Sequence, residues 1–224
     1  GGSVPCLELM TKKGQEVGMQ NTNFETVSGL DFVLQQTTAY DMALLAACAI
    51  ENPLFRLICS LESERVYYGN PPYARTLSNH NRLLKSYDGA FGIKTGYTKK
   101  SGRCLVSAAE RDGVTLIAVT LNAPNDWADH RKLLDYGFSV AEARDCTDLT
   151  AQLPNVPVVG GDASTVRAVL AETPFIDVTQ STPRITAQVF VQPFLYAPLK
   201  AGDCIGSVRY LVEGKTILAV PLVA

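Results

Sequence analysis

The chain has 224 residues, 46% of them hydrophobic and 19% charged, with a formal net charge of −2. That length buries the core of one large domain, or of one medium and one small domain. The charge supplies no basic field for nucleic acid, and no apolar run approaches the roughly 20 residues that cross a bilayer.

In chain order, residues Ser3 to Gly18 read as a helix, with Val4, Leu7, Met10 and Val17 near one face and Gly18 as its stop. A polar loop follows. Thr38-Ala39-Tyr40-Asp41 is a capping-box pattern in which Thr38 accepts from the amide of Asp41. It opens a helix with Met42, Leu45, Ala46 and Ala49 inward. Pro53 suits the first turn of a short helix reaching Cys59. Arg65 to Tyr68 is β-rich and ends at Pro71-Pro72.

Two runs, Arg103 to Glu110 and Val114 to Asn122, flank Asp112-Gly113, a tight-hairpin signal. The second run is apolar on both faces, which predicts a central strand covered on both sides. Asp126 to Ala143 reads as a helix anchored by Trp127, Leu133 and Leu134, with Gly137 marking a break. Beyond Arg144, β-like segments at Val156, Val166–Leu170, Ile185–Val191, Ile205–Val212 and Thr216–Val220 alternate with Pro, Gly and Asp. Glu213-Gly214 is a second hairpin signal. The expected division is therefore residues 1–143 and a small all-β domain, 144–224, with a hinge at Glu142 to Thr147.

Six cysteines lie far apart in sequence, with no C-x-x-C pair, and the two histidines are His80 and His130. This excludes a zinc pattern, and free thiols are expected because a chain of this length needs no staples. His130 is read as a helix-surface residue, Trp127 as a packing residue, and Asn79 and Asn81 as turn-stabilising. Lys99 and Lys100 are read as a solvated loop.

Lys94-Thr95-Gly96 is the one familiar catalytic element. It follows Tyr87-Asp88-Gly89-Ala90-Phe91-Gly92-Ile93 and precedes the apolar hairpin. Around it stand Gly18-Met19-x-Asn21-Thr22, Thr37-Thr38-Ala39-Tyr40-Asp41, Asn79-x-Asn81-x-Leu83-Leu84 and Leu133-Leu134-Asp135-Tyr136-Gly137-Phe138. With these motifs the chain resembles the low-molecular-mass penicillin-binding proteins that act as D-alanyl-D-alanine carboxypeptidases, over nearly its whole length. Pro198-Leu199-Lys200-Ala201-Gly202-Asp203 extends the likeness into that family's C-terminal β domain.

The resemblance implies an α/β domain of the serine β-lactamase/transpeptidase type, with a mainly antiparallel sheet covered by helices, followed by the β domain. It implies a serine hydrolase of peptidoglycan stem peptides ending in D-Ala-D-Ala, inhibited by β-lactams, without metal or cofactor. It places the protein in the cell envelope, outside the plasma membrane, with peripheral attachment through a C-terminal anchor beyond Ala224. Lys94 then supplies positive potential, Thr95 donates to the substrate carboxylate, and Gly96 admits the substrate backbone. The N–H of Tyr97 is half of the oxyanion hole, and Thr98 supports the turn.

The family's two upstream motifs, S-x-x-K and S-x-N, occur at none of the twelve serines. The expectation is an N-terminally incomplete catalytic domain whose nucleophile comes from a segment in cis or in trans, and which is inactive alone. The loop from Asn122 to Asp129 lacks the arginine that family members place there, leaving Arg131 and His130 as the nearest carboxylate-binding candidates. The rival readings are a serine β-lactamase and a non-catalytic peptidoglycan-binding module.

Overall fold

Local signals set the first elements. Helix α1 (Ser3–Glu16) is closed by Gly18, whose φ of +87° suits a residue without Cβ. Thr38 Oγ1 accepts from Asp41 N at 3.1 Å and opens α2 (Ala39–Ile50) as the capping pattern predicts. Asn52 Oδ1 accepts from the amides of Leu54 and Phe55 and opens α3 (Pro53–Ser60), with Pro53 in its first turn. The Asp41 side chain is buried and accepts from Asn21 N and Thr22 Oγ1, both at 2.7 Å. The Thr22 hydroxyl, with the Asn21 and Gln20 amides, holds its carboxyl below the usual range.

The computed structural model describes residues 2–224. Strand β1 (Ser63–Tyr68) pairs with β2 (Tyr73–Ser78), a strand with no apolar period to announce it because every residue is exposed. After the short helix α4 (Leu83–Ser86), strands β3 (Ala90–Thr98), β4 (Gly102–Arg111) and β5 (Val114–Thr120) form an antiparallel sheet in that order. The β4–β5 turn is Asp112-Gly113 with φ of 49° and 80°, and Arg111 faces Val114 across it. These positive φ values match the two-residue hairpin predicted there.

Three expectations are corrected. Among the described residues β5 pairs with β4 alone and stands at the edge of this sheet, while β4, with Leu105 to Ala109 buried, occupies the middle. Apolarity on both faces of β5 reports helices on both faces, α2 on one and α5 (Asp126–Val140) on the other. It does not report lateral position. Helix α5 runs unbroken through Gly137, where an added Cβ would come within 2.5 Å of Leu116 Cδ1, so the glycine lets helix and sheet approach. And α5 stops at Val140, because Ala141–Asp145 form strand β6, paired antiparallel with β10 (Phe175–Thr179). The stretch read as a hinge is thus largely strand.

The chain divides into two compact units, one ending at Ser139 and the other spanning Val140–Ala224. The second unit is β-rich. Beyond β6 come a 3-10 turn (Thr147–Thr150), β7 (Asn155–Val159), β8 (Thr165–Arg167), β9 (Val169–Leu170), β10 and β11 (Ile185–Val191). The unit ends with β12 (Leu195–Tyr196), β13 (Cys204–Val212) and β14 (Lys215–Val223). They form a four-stranded sheet β11-β13-β14-β9, a three-stranded sheet β12-β7-β8, and the β10–β6 pair. Their core gathers Cys146, Val156, Val208, Tyr210, Val220 and Leu222, each at most 1% exposed. Glu213-Gly214 turns β13 into β14, with φ of 49° and 80°.

In the first unit the core is Leu83, Tyr87, Leu105, Ala109, Ala118 and Leu134, with Trp127 and Phe138 packed against it. All six cysteines are free. Among the described residues no single helix is long and apolar enough to cross a membrane.

Candidate active site

Strand β3 is the outer strand of its sheet, so one side of its backbone has no strand partner among the described residues. The first half of that edge is already occupied. Asn81 Nδ2 donates to Gly92 O at 2.7 Å, and α3 packs so closely that a Cβ on Gly92 would stand 3.3 Å from Cys59 Cβ. Asn79 Nδ2 donates to Cys59 O and Leu61 O, and its Oδ1 accepts from Asn81 N at 2.9 Å. Each asparagine accepts locally, Asn79 Oδ1 from Asn81 N and Asn81 Oδ1 from Leu83 N, as its sequence context predicts. Both side-chain amides reach backbone that is distant in sequence, beyond the turn-stabilising role expected.

From Lys94 onward the edge is open. Lys94, Gly96 and Tyr97 are exposed, and Thr95 and Thr98 half-buried. Lys94 Nζ donates to Thr95 O at 2.5 Å. Thr98 Oγ1 accepts from Ser101 N at 2.9 Å and closes the turn into β4. Ser101 Oγ in turn donates to Asp31 Oδ1 at 2.7 Å, and the Ser101 and Thr98 hydroxyls hold the Asp31 carboxyl below the usual range.

These residues border a cleft of about 890 Å³ whose wall takes in all of Lys94 to Thr98, with Asn79, His80, Arg82, Arg103, Asp126 and Trp127. Its charged lining is three cations, Arg82, Lys94 and Arg103, against one carboxylate, Asp126. On a chain of net charge −2, this is a local field for an anion. Asp126 is itself engaged. Its Oδ1 accepts from Arg103 Nε at 3.0 Å, stands 3.0 Å from Arg103 Nη2, and also accepts from Trp127 N at 2.9 Å.

His130 lies one turn further along α5 and is fully buried, which corrects the expectation of a surface histidine. Its Nδ1 is 2.6 Å from Ser107 Oγ on β4 and its Nε2 2.9 Å from Thr120 Oγ1 on β5. Burial pushes its pKa down to about 4, so the ring is neutral and bridges two strands to the helix. Arg131 does not join the cleft lining. Its guanidinium donates to Ser86 O and Ser86 Oγ at 2.5 and 2.6 Å.

Five of the site residues expected from sequence, Lys94, Thr95, Gly96, Tyr97 and Thr98, thus share one cleft wall, and Arg131 stands apart. Sequence reasoning missed Arg103 and Asp126. The one signal available was register: β3 and β4 are joined by a short turn, which sets Arg103 opposite Tyr97. Trp127 packs as expected, and among the described residues its Nε1–H is a buried donor without an acceptor. Lys99 and Lys100 are exposed. No group of three His, Cys, Asp or Glu gathers to hold a metal among the described residues.

The profile of the peptidase S11 family, D-alanyl-D-alanine carboxypeptidase, matches residues 1–125. That of the penicillin-binding protein 5 C-terminal domain matches 150–224. D-alanyl-D-alanine carboxypeptidase DacC of Escherichia coli (strain K12) is 31% identical over 229 residues, covering 100% of this chain and 56% of the relative. DacF of Bacillus subtilis (strain 168) is 27% identical over 100% of this chain and 59% of its own length. Penicillin-binding protein 5 from Haemophilus influenzae has a solved structure that superposes with a TM-score of 0.58 at 29% identity. That superposition covers 97% of this chain and 64% of the other. The chain therefore spans little more than half the length of the curated relatives it matches. With a family profile matched over more than half of its residues, this chain belongs to the D-alanyl-D-alanine carboxypeptidase family.

Proposed function

We propose that the chain forms the peptide-holding wall of a serine D-Ala-D-Ala carboxypeptidase that trims peptidoglycan stem peptides in the cell envelope. The observation that carries this reading is the open edge of β3 from Lys94 to Thr98, facing a cationic cleft. An extended acyl-D-Ala-D-Ala chain adds to that edge as an extra strand through main-chain hydrogen bonds. Lys94 supplies positive potential, the Thr95 hydroxyl donates to the terminal carboxylate, and the Tyr97 N–H is half of the oxyanion hole.

Gly96 supports this reading by elimination. Its φ is not among the positive values, and a Cβ there would meet nothing nearer than Cys104 Cβ at 3.8 Å. The chain's own packing does not demand a glycine, so the space serves the bound peptide.

In the reaction a serine hydroxyl attacks the carbonyl of the penultimate D-Ala. The C–N bond to the terminal D-Ala breaks, the leaving nitrogen takes a proton, and water then hydrolyses the ester. S-x-x-K and S-x-N are absent from these 224 residues, so the serine and its activating lysine come from another segment, in cis or in trans. β-Lactams are inhibitors that acylate the same serine. The second unit serves as a stalk for the first, and a C-terminal anchor beyond it gives peripheral membrane attachment. The match of residues 150–224 to a penicillin-binding protein domain favours this reading over a β-lactamase.

Incubation with a fluorescent penicillin, read by intact mass, is expected to leave this chain unmodified. Labelling is expected to return when a segment bearing S-x-x-K is supplied in trans. A stoichiometric mass increase mapped to one of the chain's own serines would overturn the assignment of the nucleophile. In the reconstituted enzyme, Thr95→Val is expected to raise the barrier by about 2–4 kcal/mol. Equal hydrolysis by wild type and variant would remove Thr95 from the site.

A further inference from the structure

We propose that Arg103 is the residue that recognises the free C-terminal carboxylate of the substrate, with Asp126 and Trp127 as positioning residues. The assignment rests on the reading of the β3 edge as the peptide-binding wall. Nothing in the loop from Asn122 to Asp129 supplies a cation, and Arg131, the nearest downstream arginine, is spent on Ser86. The cleft nonetheless holds a guanidinium, delivered from the neighbouring strand.

Register places it. Tyr97 faces Arg103 and Thr95 faces Leu105 across the β3–β4 pair. Side chains of paired residues lie on one face of a sheet, and next-but-one residues share that face. Thr95, Tyr97 and Arg103 are therefore on one face, with Lys94 and Gly96 on the other. Thr95 and Arg103 are diagonal neighbours, a spacing of roughly 7–8 Å between backbones that a long side chain spans. A carboxylate that accepts from the Thr95 hydroxyl thus lies on the face where the guanidinium is.

Chemistry completes the case. A guanidinium has five N–H donors in a rigid fork. Asp126 Oδ1 engages it through Nε and Nη2 only. Both Nη1 hydrogens and the second Nη2 hydrogen remain for a planar anion. The Asp126 side chain is 4% exposed and that of Arg103 42%, so the buried partner aims the cation while its outer half stays open to the cleft. The ring of Trp127 lies 5.7 Å from Arg103 Cζ. Ala123 N donates to Arg103 O at 2.9 Å, which ties the loop to the same residue. The Ser107–His130–Thr120 bridge holds α5, and with it Asp126, against the sheet. The site is thus preorganised by the fold rather than by one flexible side chain.

The test is binding of an N-acylated peptide ending in D-Ala-D-Ala, against the same peptide with a C-terminal amide, to the full chain by titration calorimetry. Wild type is expected to prefer the acid by about tenfold to a hundredfold, the range for a hydrogen bond to a charged group. Arg103→Gln is expected to cut that ratio severalfold by weakening the acid and not the amide, the remainder being held by Lys94 and Thr95. Arg103→Lys restores part of the loss, because charge without the fork still attracts a carboxylate. Asp126→Asn gives an intermediate ratio. If Arg103→Gln weakens acid and amide alike, its role is structural and the proposal fails. If wild type prefers the acid and Arg103→Gln keeps that preference undiminished, Arg103 is excluded while the peptide-wall reading stands. If wild type binds neither peptide, or Thr95→Val binds the acid unchanged, that reading falls and takes the assignment of Arg103 with it.

Discussion

The second unit gathers twelve buried residues, from Cys146 to Leu222, into one cluster, whereas the first unit's cluster has six in a longer stretch of chain. The first unit also presents α3 with no buried residue and with Leu54, Leu57 and Ile58 each more than half exposed. The same is true of Val4 and Leu9 on α1 and of Phe32, Val33 and Leu34 in the loop before α2. The difference separates two kinds of stability. One unit closes its sheets on a core of its own. The other presents the open β3 edge and broad exposed apolar faces, in a chain that spans little more than half the length of its curated relatives.

The sharpest way to break the comparison is to cut the second unit at two places. The isolated unit Val140–Ala224 is expected to unfold cooperatively with β-type circular dichroism. Removing residues 140–146 strips β6 from β10 and takes the buried Cys146 from the core, and cooperative unfolding should disappear. Equal melting of both fragments would show that β6 does not belong to that fold.

Point substitutions should divide along the same line. Leu222→Ala, at a fully buried position, is expected to cost about 2–5 kcal/mol in chemical denaturation. Leu54→Ser on α3, where Leu54 is 62% exposed, should change stability by less than about 0.5 kcal/mol and raise solubility. A large loss at Leu54 would mean that its face is covered.

The first unit carries its own pH dependence. The folded pKa of His130 is pushed down to about 4 from an ordinary 6.5, so the unfolded chain binds its proton first as pH falls. The stability held by the neutral ring is complete above pH 6.5 and is lost progressively toward pH 4, by roughly 3 kcal/mol at most. Chemical denaturation against pH, with the His130 ring followed by NMR, checks this. A ring titrating near 6.5 would contradict burial between Ser107 and Thr120.

The smallest effects compare two glycines on β3. Gly92→Ala presses on Cys59 and should cost about 1–3 kcal/mol. Gly96→Ala, with its nearest neighbour at 3.8 Å, should leave stability within about 0.5 kcal/mol while weakening D-Ala-D-Ala peptide binding. A stability loss at Gly96 matching that at Gly92 would show that packing, not the ligand, selects glycine there.

The sequence by itself determined what is local. The Thr38 cap, the turns at Asp112-Gly113 and Glu213-Gly214, Pro53 in a first helical turn, and the Lys94-Thr95-Gly96 run all depend on neighbours within a few residues. Each is legible because one residue type satisfies one backbone need. The family resemblance also rested on short motifs met in order, and the β-rich texture after Arg144 followed from strand periodicity. The tertiary structure alone decided what depends on partners far along the chain. Whether β5 is central or an edge depends on which strands pair with it, and its apolar faces record only what lies above and below. Exposed β2 has no periodicity, since hydrogen bonds to β1 define it. Where α5 stops depends on β10, some thirty residues downstream, which claims Ala141–Asp145. His130 is a core residue because two strands bring hydroxyls to both its nitrogens. Arg103 and Arg131 are chemically identical in sequence. Strand register and the positions of Asp126 and Ser86 send one into the cleft and tie the other down.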